Sequence, residues 1–295
     1  MEHEVRSVLP VAATLGEGPV WVDGTLWFVD IKQRKIHRFN PTTGDTQSWP
    51  APAQVGWLLP YAEGGFLAGL QTGVHRFDPD SGSFTHLATI EPALPNNRLN
   101  DATVDPAGRL WFGSMDDGEK APTGHIYSAS DRGIARVASG IAITNGPAVS
   151  PDGRTLYHND TVGGLVFAST IRDDGTLSDT RVLARIDPED GHPDGPAVDA
   201  EGHVWVGLFG GWGVRRYSPA GELVDFVRLP AANVTKIAFG GDGLRTAYAT
   251  TAAMGLSDAD RAAQPLAGHV FAFEPGVAGL PAVPAAVFST ERLYD

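Results

Sequence analysis

A chain of 295 residues with 42% hydrophobic side chains can bury a large core, and its 36 glycines and 22 prolines, lacking a Gly-X-Y period, exclude collagen, a helical bundle and a long coiled coil. The net charge of −13, from 22 basic against 35 acidic residues without a Lys/Arg cluster, argues against nucleic acid and anionic membrane surfaces as partners. With no Cys, disulfides, thiolate nucleophiles and Cys-ligated zinc are excluded.

The opening Met1-Glu-His-Glu-Val-Arg6 is acidic where a secretory leader is basic, and it lacks an apolar stretch. No apolar run reaches the ~18 residues of a membrane span. The expectation is a soluble, cytoplasmic protein with no obligatory protein partner. Further along, one phrase recurs: an apolar run, a Gly-containing turn, then a second apolar or aromatic run. It reads PVWVDGTLWFVD from Pro19, LLPYAEGGFLAGL from Leu58 (a degenerate copy) and ATVDPAGRLWFGS from Ala102. It returns as PAVSPDGRTLYHND from Pro147, PAVDAEGHVWVGL from Pro196 and IAFGGDGLRTAYAT from Ile237.

A third run follows each copy: KIHRF from Lys35, GVHRF from Gly73, HIYSA from His125, LVFAS from Leu165, GVRRY from Gly213 and HVFAF from His269. A turn and a more polar fourth segment close each unit, the last after EPGVAG. The units start at Glu17, Gly56, Asn100, Asn145, Asp194 and Thr235, with spacings of 39, 44, 45, 49 and 41 residues. Four-strand repeats of this length predict an all-β, six-bladed β-propeller with four antiparallel strands per blade, one domain over residues 1–295. The one helix signal is a capped turn at Ser257-Asp-Ala-Asp-Arg-Ala-Ala.

The first strand of each blade lines a propeller's central channel, so the six starting positions converge there. Glu17, Asn100, Asn145 and Asp194 bring side-chain oxygens, and Gly-Pro follows Glu17, Asn145 and Asp194. Gly admits a positive φ and Pro sets the next φ, a backbone able to aim the preceding side chain inward. Two carboxylates meeting in a channel repel unless one is protonated or paired. No Lys or Arg shares the ring position, so a hard divalent cation such as Ca²⁺, Mg²⁺ or Mn²⁺ is the expected counter-charge. The plainer reading, that Asp, Asn and Gly-Pro are turn residues, applies to any one position better than to the set in register.

Other features carry less. No Gly-x-Ser-x-Gly or His-Glu-x-x-His is present. His37, His75 and His125 fall in third runs, as surface or interblade residues. His158, Asn159 and Asp160 end a second run and read as turn residues. Asp78-Pro-Asp80-Ser-Gly82 resembles the start of a calcium loop but lacks the distal Glu, and Asn233-Val-Thr is a sequon without meaning in a cytoplasmic protein. Trp57, Phe209 and Trp212 lie near channel-facing ends, as core or as platforms for a sugar face.

The segments LGEGPVW (Leu15–Trp21), NRLNDATVDPAGRLWFGSMD (Asn97–Asp116), ITNGPAVSPDGRTLYHND (Ile143–Asp160) and HPDGPAVDAEG (His192–Gly202) resemble the regucalcin/gluconolactonase (senescence-marker-protein-like) family. VDIKQRKIHRF, NVTK and GLSD are similar to the bacterial pentonolactonases, D-xylonolactonase and L-arabinolactonase-like proteins. The resemblance implies a six-bladed propeller that hydrolyses a sugar lactone with one divalent metal (Ca²⁺, Mn²⁺, Mg²⁺, Zn²⁺ or Fe²⁺). It places the metal ligands on Glu17, Asn145 and Asp194, the sugar contacts on Arg98 and Asn100, and a general-base role on Asp194. An acidic substrate contact of some members falls on Asp116, Asp117 or Glu119. A calcium-binding regulatory propeller without catalysis, and a propeller phosphotriesterase or arylesterase, stay open as alternatives.

Overall fold

The computed structural model describes residues 3–288, which form six four-stranded antiparallel sheets. Blade 1 comprises Gly16–Val22, Thr25–Asp30, Lys35–Phe39 and Thr46–Pro50. Blades 2 to 5 follow the same meander, with inner strands Val55–Pro60, Asn97–Val104, Thr144–Val149 and His192–Val198. The sixth inner strand is Val234–Gly240, and contacts between successive inner strands close the ring, so that blade 3 stands opposite blade 6. The predicted propeller is observed. The helix Asp258–Ala263 is present too, with Ser257 accepting from the Asp260 N–H in a capping box.

The sixth blade departs from the expected order. Its outermost strand is not a segment after EPGVAG but Arg6–Leu9, which pairs with Val270–Phe273. Joining the two ends of the chain in one sheet closes the ring with backbone hydrogen bonds. The segment after Phe273 instead crosses the lower end of the channel. It bridges Asp199 through Gly279 and Tyr61 through Ala285, and the Ala286 N–H donates to Gly108 O. A cavity of about 350 Å³ between this strap and the inner strands is lined by Trp21, Pro147, Pro196, Phe239 and Leu280.

The apolar faces of neighbouring blades meet in separate clusters, one at each blade junction, where Trp57, Trp111 and Trp205 are fully buried. The recurring Asp-x-x-Gly phrase has a physical meaning in blades 3 and 5. Asp105 Oδ1 accepts from the Ala107 and Arg109 N–H groups, and its Oδ2 accepts from Trp111 Nε1. Asp199 does the same for Glu201, His203 and Trp205. One carboxylate thus holds a hairpin turn and satisfies the indole N–H of the core Trp beside it.

Each inner strand carries a register shift against its neighbour at the equivalent place. The shifts fall between Glu17 and Val20, Val55 and Trp57, Leu99 and Ala102, Asn145 and Ala148, Pro193 and Pro196, and Val234 and Lys236. A bulge frees one residue from the pleat and re-aims its side chain. Six in one ring turn the starting side chains of the blades toward the channel.

Candidate active site

Glu17, Arg98, Asn100, Asn145 and Asp194 line one pocket of about 290 Å³ at the upper end of the channel, together with Leu15, Met115, Glu119, Ile143, Thr161, Val162, His192, Phe209 and Met254. The five polar residues are buried. Gly18 and Gly146 adopt φ values of 53° and 83°, which the Gly-Pro reading anticipates. Gly195 is a glycine for another reason. Its φ is ordinary, but a Cβ there would stand 2.7–2.8 Å from the Cβ, Cγ and Cδ of Lys236.

Lys236 brings a basic group into the channel from outside the ring positions, none of which is Lys or Arg. It follows the ring residue Thr235 by one position, and its stem runs over Gly195 so that Nζ lies 2.6 and 2.7 Å from the two carboxylate oxygens of Asp101. The bulge at Val234–Lys236 turns this side chain inward where simple alternation would not. Asp101 further accepts from the Ala102 N–H and, through Oδ2, from Gly146 N at 3.0 Å. Lys236 is therefore bound to Asp101. No ion pair joins Glu17 or Asp194 to a basic side chain among the described residues.

The two remaining carboxyls share the consequence. Burial, then the charge of Asp101, raises Glu17 to about 7 against the opposing pull of the Gly18 N–H and the Lys236 ammonium. Burial, then the charge of Glu17 and a hydrogen bond with it, pushes Asp194 well above the ordinary carboxylate value. Two desolvated carboxyls in contact hold a proton between them unless a cation replaces it. With the carboxamide oxygen of Asn145 they make an all-oxygen donor set suited to a hard divalent ion. That carboxamide is oriented from both sides: Asn145 Oδ1 accepts from Asn100 Nδ2 (2.9 Å), and Asn145 Nδ2 donates to Thr161 Oγ1 (2.8 Å).

Arg98 and Asn100 differ in what they have left to offer. Arg98 donates from Nε to Asp117 (2.8 Å) and from Nη1 to Asn100 Oδ1 (2.5 Å), while its Nη2 has no protein partner among the described residues. Both Asn100 amide hydrogens are in use, on Thr144 O and Asn145 Oδ1. Of the three acidic candidates nearby, Asp116 folds back on its own turn and accepts from the N–H groups of Gly118, Lys120 and Ala121. Asp117 is the clamp on Arg98. Burial would raise its pKa, but Lys32, Gln54 and Arg98 outweigh that and hold it at about 2. Glu119 alone of the three lines the pocket.

Of the aromatic candidates only Phe209 faces the pocket. Trp57 is buried against Phe112, with centroids 6.2 Å apart, and Trp212 lies under Arg228. His37 and His75 are buried within their blades, and His125 bonds Glu91 at 2.6 Å. His158 is buried and stacked on Phe167, as a core residue and not the turn residue expected. Asn159, also read as a turn residue, is buried and donates from Nδ2 to the backbone oxygen of Asp194. Thr161 links blades 4 and 5 by donating to Pro193 O. Asp101, Thr161 and Lys236 are thus site residues that pattern reading passed over, while Asn159 was read as a turn residue and Asp117 was one of three acidic candidates. For Asp101 a signal existed, since it adjoins Asn100 in a strand that begins with two more polar residues.

Residues 15–253 match the family model described as the SMP-30/Gluconolactonase/LRE-like region. The chain belongs to this family. It is 37% identical to the L-arabinolactonase of Azospirillum brasilense over 90% of each chain, and 32% identical to the 6-deoxy-6-sulfogluconolactonase of Pseudomonas putida over 95% of this chain and 97% of that one. Among solved structures it is similar to the calcium-binding protein regucalcin from Agrobacterium tumefaciens, with a TM-score of 0.92, 27% identity, and 97% and 99% of the two chains covered. No helix among the described residues is long and apolar enough to cross a membrane.

Proposed function

We propose that this protein hydrolyses a sugar lactone to the aldonic acid, with one divalent cation held by Glu17, Asn145 and Asp194 and a pentonolactone as preferred substrate. The observation that carries the reading is the pair of buried carboxyls, with no ion pair to a basic side chain among the described residues, that share a pocket with Arg98. The relatives named as lactonases support the reaction class, and the L-arabinolactonase supports the five-carbon substrate.

Bound at these oxygens, the cation supplies electrophilic stabilisation of the negative charge that develops on the lactone oxygen. The chain's own groups do the rest. Asp194, freed of the shared proton, accepts a proton from the attacking water at a carboxylate oxygen. Arg98, locked by Asp117, presents Nη2 to a sugar hydroxyl. Asn100 acts mainly by holding Asn145 Oδ1 and Arg98 in place.

The test is acid release from freshly prepared pentono- and hexonolactones, with aryl esters and phosphotriesters for comparison. Metal-free protein is expected to be inactive and to regain lactone hydrolysis on addition of a divalent cation, with the pentonolactones ahead. Full activity in protein shown by elemental analysis to be metal-free would end the metal-dependent reading. Faster turnover of aryl esters or phosphotriesters would end the lactone one.

A further inference from the structure

One hydrogen-bonded chain runs through the upper pocket from blade 3 to blade 5, and its direction is fixed at both ends. It starts at Arg98, whose Nη1 donates to Asn100 Oδ1 (2.5 Å). Asn100 Nδ2 donates to Asn145 Oδ1 (2.9 Å), Asn145 Nδ2 donates to Thr161 Oγ1 (2.8 Å), and Thr161 Oγ1 donates to Pro193 O (2.8 Å). A guanidinium has no acceptor and a backbone carbonyl no donor, so no link reverses without setting donor against donor or acceptor against acceptor. All four side chains are buried, which makes any such mismatch costly.

Thr161 holds the far end because of where the fold puts it. It follows the second strand of blade 4, Thr155–Asp160, and its N–H donates to the backbone oxygen of Ile143, two residues before Asn145. The backbone that carries the hydroxyl is thereby tied to the strand it serves, and β-branching restricts its χ1. The carbonyl it reaches lies at the bulge of the blade 5 inner strand, whose register shifts between Pro193 and Pro196. There the Pro193 and Asp194 oxygens are taken by Thr161 and by Asn159 Nδ2, both from blade 4. With its hydrogen committed to Pro193 O, the Thr161 oxygen can only accept from Asn145. It is satisfied by the Nδ2 edge of that carboxamide and not by the Oδ1 edge.

Resting on the metal-dependent reading above, we infer that Thr161 is a positioning residue: by accepting from Asn145 Nδ2 it keeps Asn145 Oδ1 available as a donor oxygen alongside those of Glu17 and Asp194. Asn100 holds the same carboxamide at its oxygen, where a second lone pair stays open to a cation. Thr161 holds it at its nitrogen, the edge that repels a cation. Loss of the hydroxyl leaves that nitrogen buried without an acceptor. The carboxamide then recovers a partner by turning, which takes Oδ1 off its aim.

Binding of Ca²⁺, Mn²⁺ and Zn²⁺, each titrated calorimetrically into metal-free protein without substrate, tests this. Thr161→Val has the shape of threonine without the hydroxyl and is expected to weaken binding about tenfold. Thr161→Ser, which keeps the hydroxyl, is expected to stay within about threefold of the unsubstituted protein. In an Asn145→Asp background the Thr161→Val change is expected to cost less than about threefold, because a carboxylate offers oxygen at either edge. Should Thr161→Val not fold, Thr161→Ala takes its place in both backgrounds. Unchanged affinity on loss of the hydroxyl, no rescue by serine, or an equal loss in both backgrounds would overturn the inference and leave the metal-dependent reading intact. No binding of any of the three ions by the unsubstituted protein would overturn both.

Discussion

Asp101 and the pair Glu17 and Asp194 act on one another in the same channel and are treated oppositely. Asp101 is buried, and the chain supplies its counter-charge: Lys236 grips both oxygens, and two backbone N–H groups complete the shell. Glu17 and Asp194 are buried too and form no ion pair with a basic side chain among the described residues, so protonation is their alternative to a bound cation. The contrast separates structure from function. A paired charge in a core can hold a scaffold together, whereas an unpaired pair of carboxyls costs stability that only a ligand or proton recovers. Asp101 also reaches Gly146 N, and the Lys236 stem covers Gly195, so the satisfied pair supports the backbone of both Asn145 and Asp194.

The comparison is sharpest at Asp194, which is asked to be both ligand and base. Asp194→Asn keeps an oxygen donor but loses basicity, and at saturating metal kcat is expected to fall by about 10²–10⁴. Glu17→Gln, a ligand without the base role, is expected to recover most of its rate in the same titration. Equal, full recovery of both would assign water activation elsewhere.

Next in size is the cost of turning the satisfied cluster into the unsatisfied kind. Lys236→Met leaves the Asp101 carboxylate buried and unpaired, and chemical denaturation is expected to show a loss of about 3–5 kcal/mol. Adding Asp101→Asn is expected to restore a large part of it. A double variant no more stable than Lys236→Met would show that the pair matters through packing over Gly195, not through charge.

The pH response follows with its sign. Glu17 rises from an ordinary 4.5 to about 7 in the metal-free fold, so the native state binds more protons than the unfolded chain between those values. Metal-free protein is therefore expected to lose about 3 kcal/mol as pH rises through that window, read as a falling Tm. Asp194 acts in the same direction. Divalent cation should reverse the loss, and metal-free Glu17→Gln should show a shallower slope. An equally steep slope in that variant would place the titrating group outside the pair.

The smallest effects concern Arg98. Arg98→Ala is expected to raise KM about tenfold with a modest change in kcat, because a hydroxyl contact is made in ground and transition states alike. Asp117→Asn is expected to move KM the same way by less, through a looser guanidinium. Asn100→Ala should differ from both by also weakening metal affinity severalfold, since Asn100 Nδ2 holds Asn145 Oδ1. Unchanged metal affinity there would return Asn100 to a purely sugar-holding role.

Most of the architecture was legible in the chain, because each blade is a local meander whose apolar runs and Gly turns lie next to one another in sequence. The same periodicity put Glu17, Asn100, Asn145 and Asp194 in register, and the resemblance of their motifs pointed to the same residues. Lys236 escaped because a bulge, not alternation, turns it inward. Gly195 was correctly marked but for the wrong reason, since its neighbour Lys236 lies 41 residues away in sequence. Asp117 could not be told from Asp116 and Glu119, as only the fold brings Lys32 and Gln54 from blades 1 and 2 onto it.

The sequence by itself determined the repeat, the number of blades and which oxygens enter the channel, since these depend on hydrophobic period and turn chemistry within some 50 residues. Tertiary structure alone decided that Arg6–Leu9 completes blade 6, that the last described segment straps the channel's lower end, and that Lys236 serves Asp101 and leaves Glu17 and Asp194 without a cation. Lys236 and Asp101 stand 135 residues apart, the strap and blade 6 likewise join segments distant in the chain, and their energies come from desolvation in a closed ring. A property of the closed ring has no local pattern to betray it.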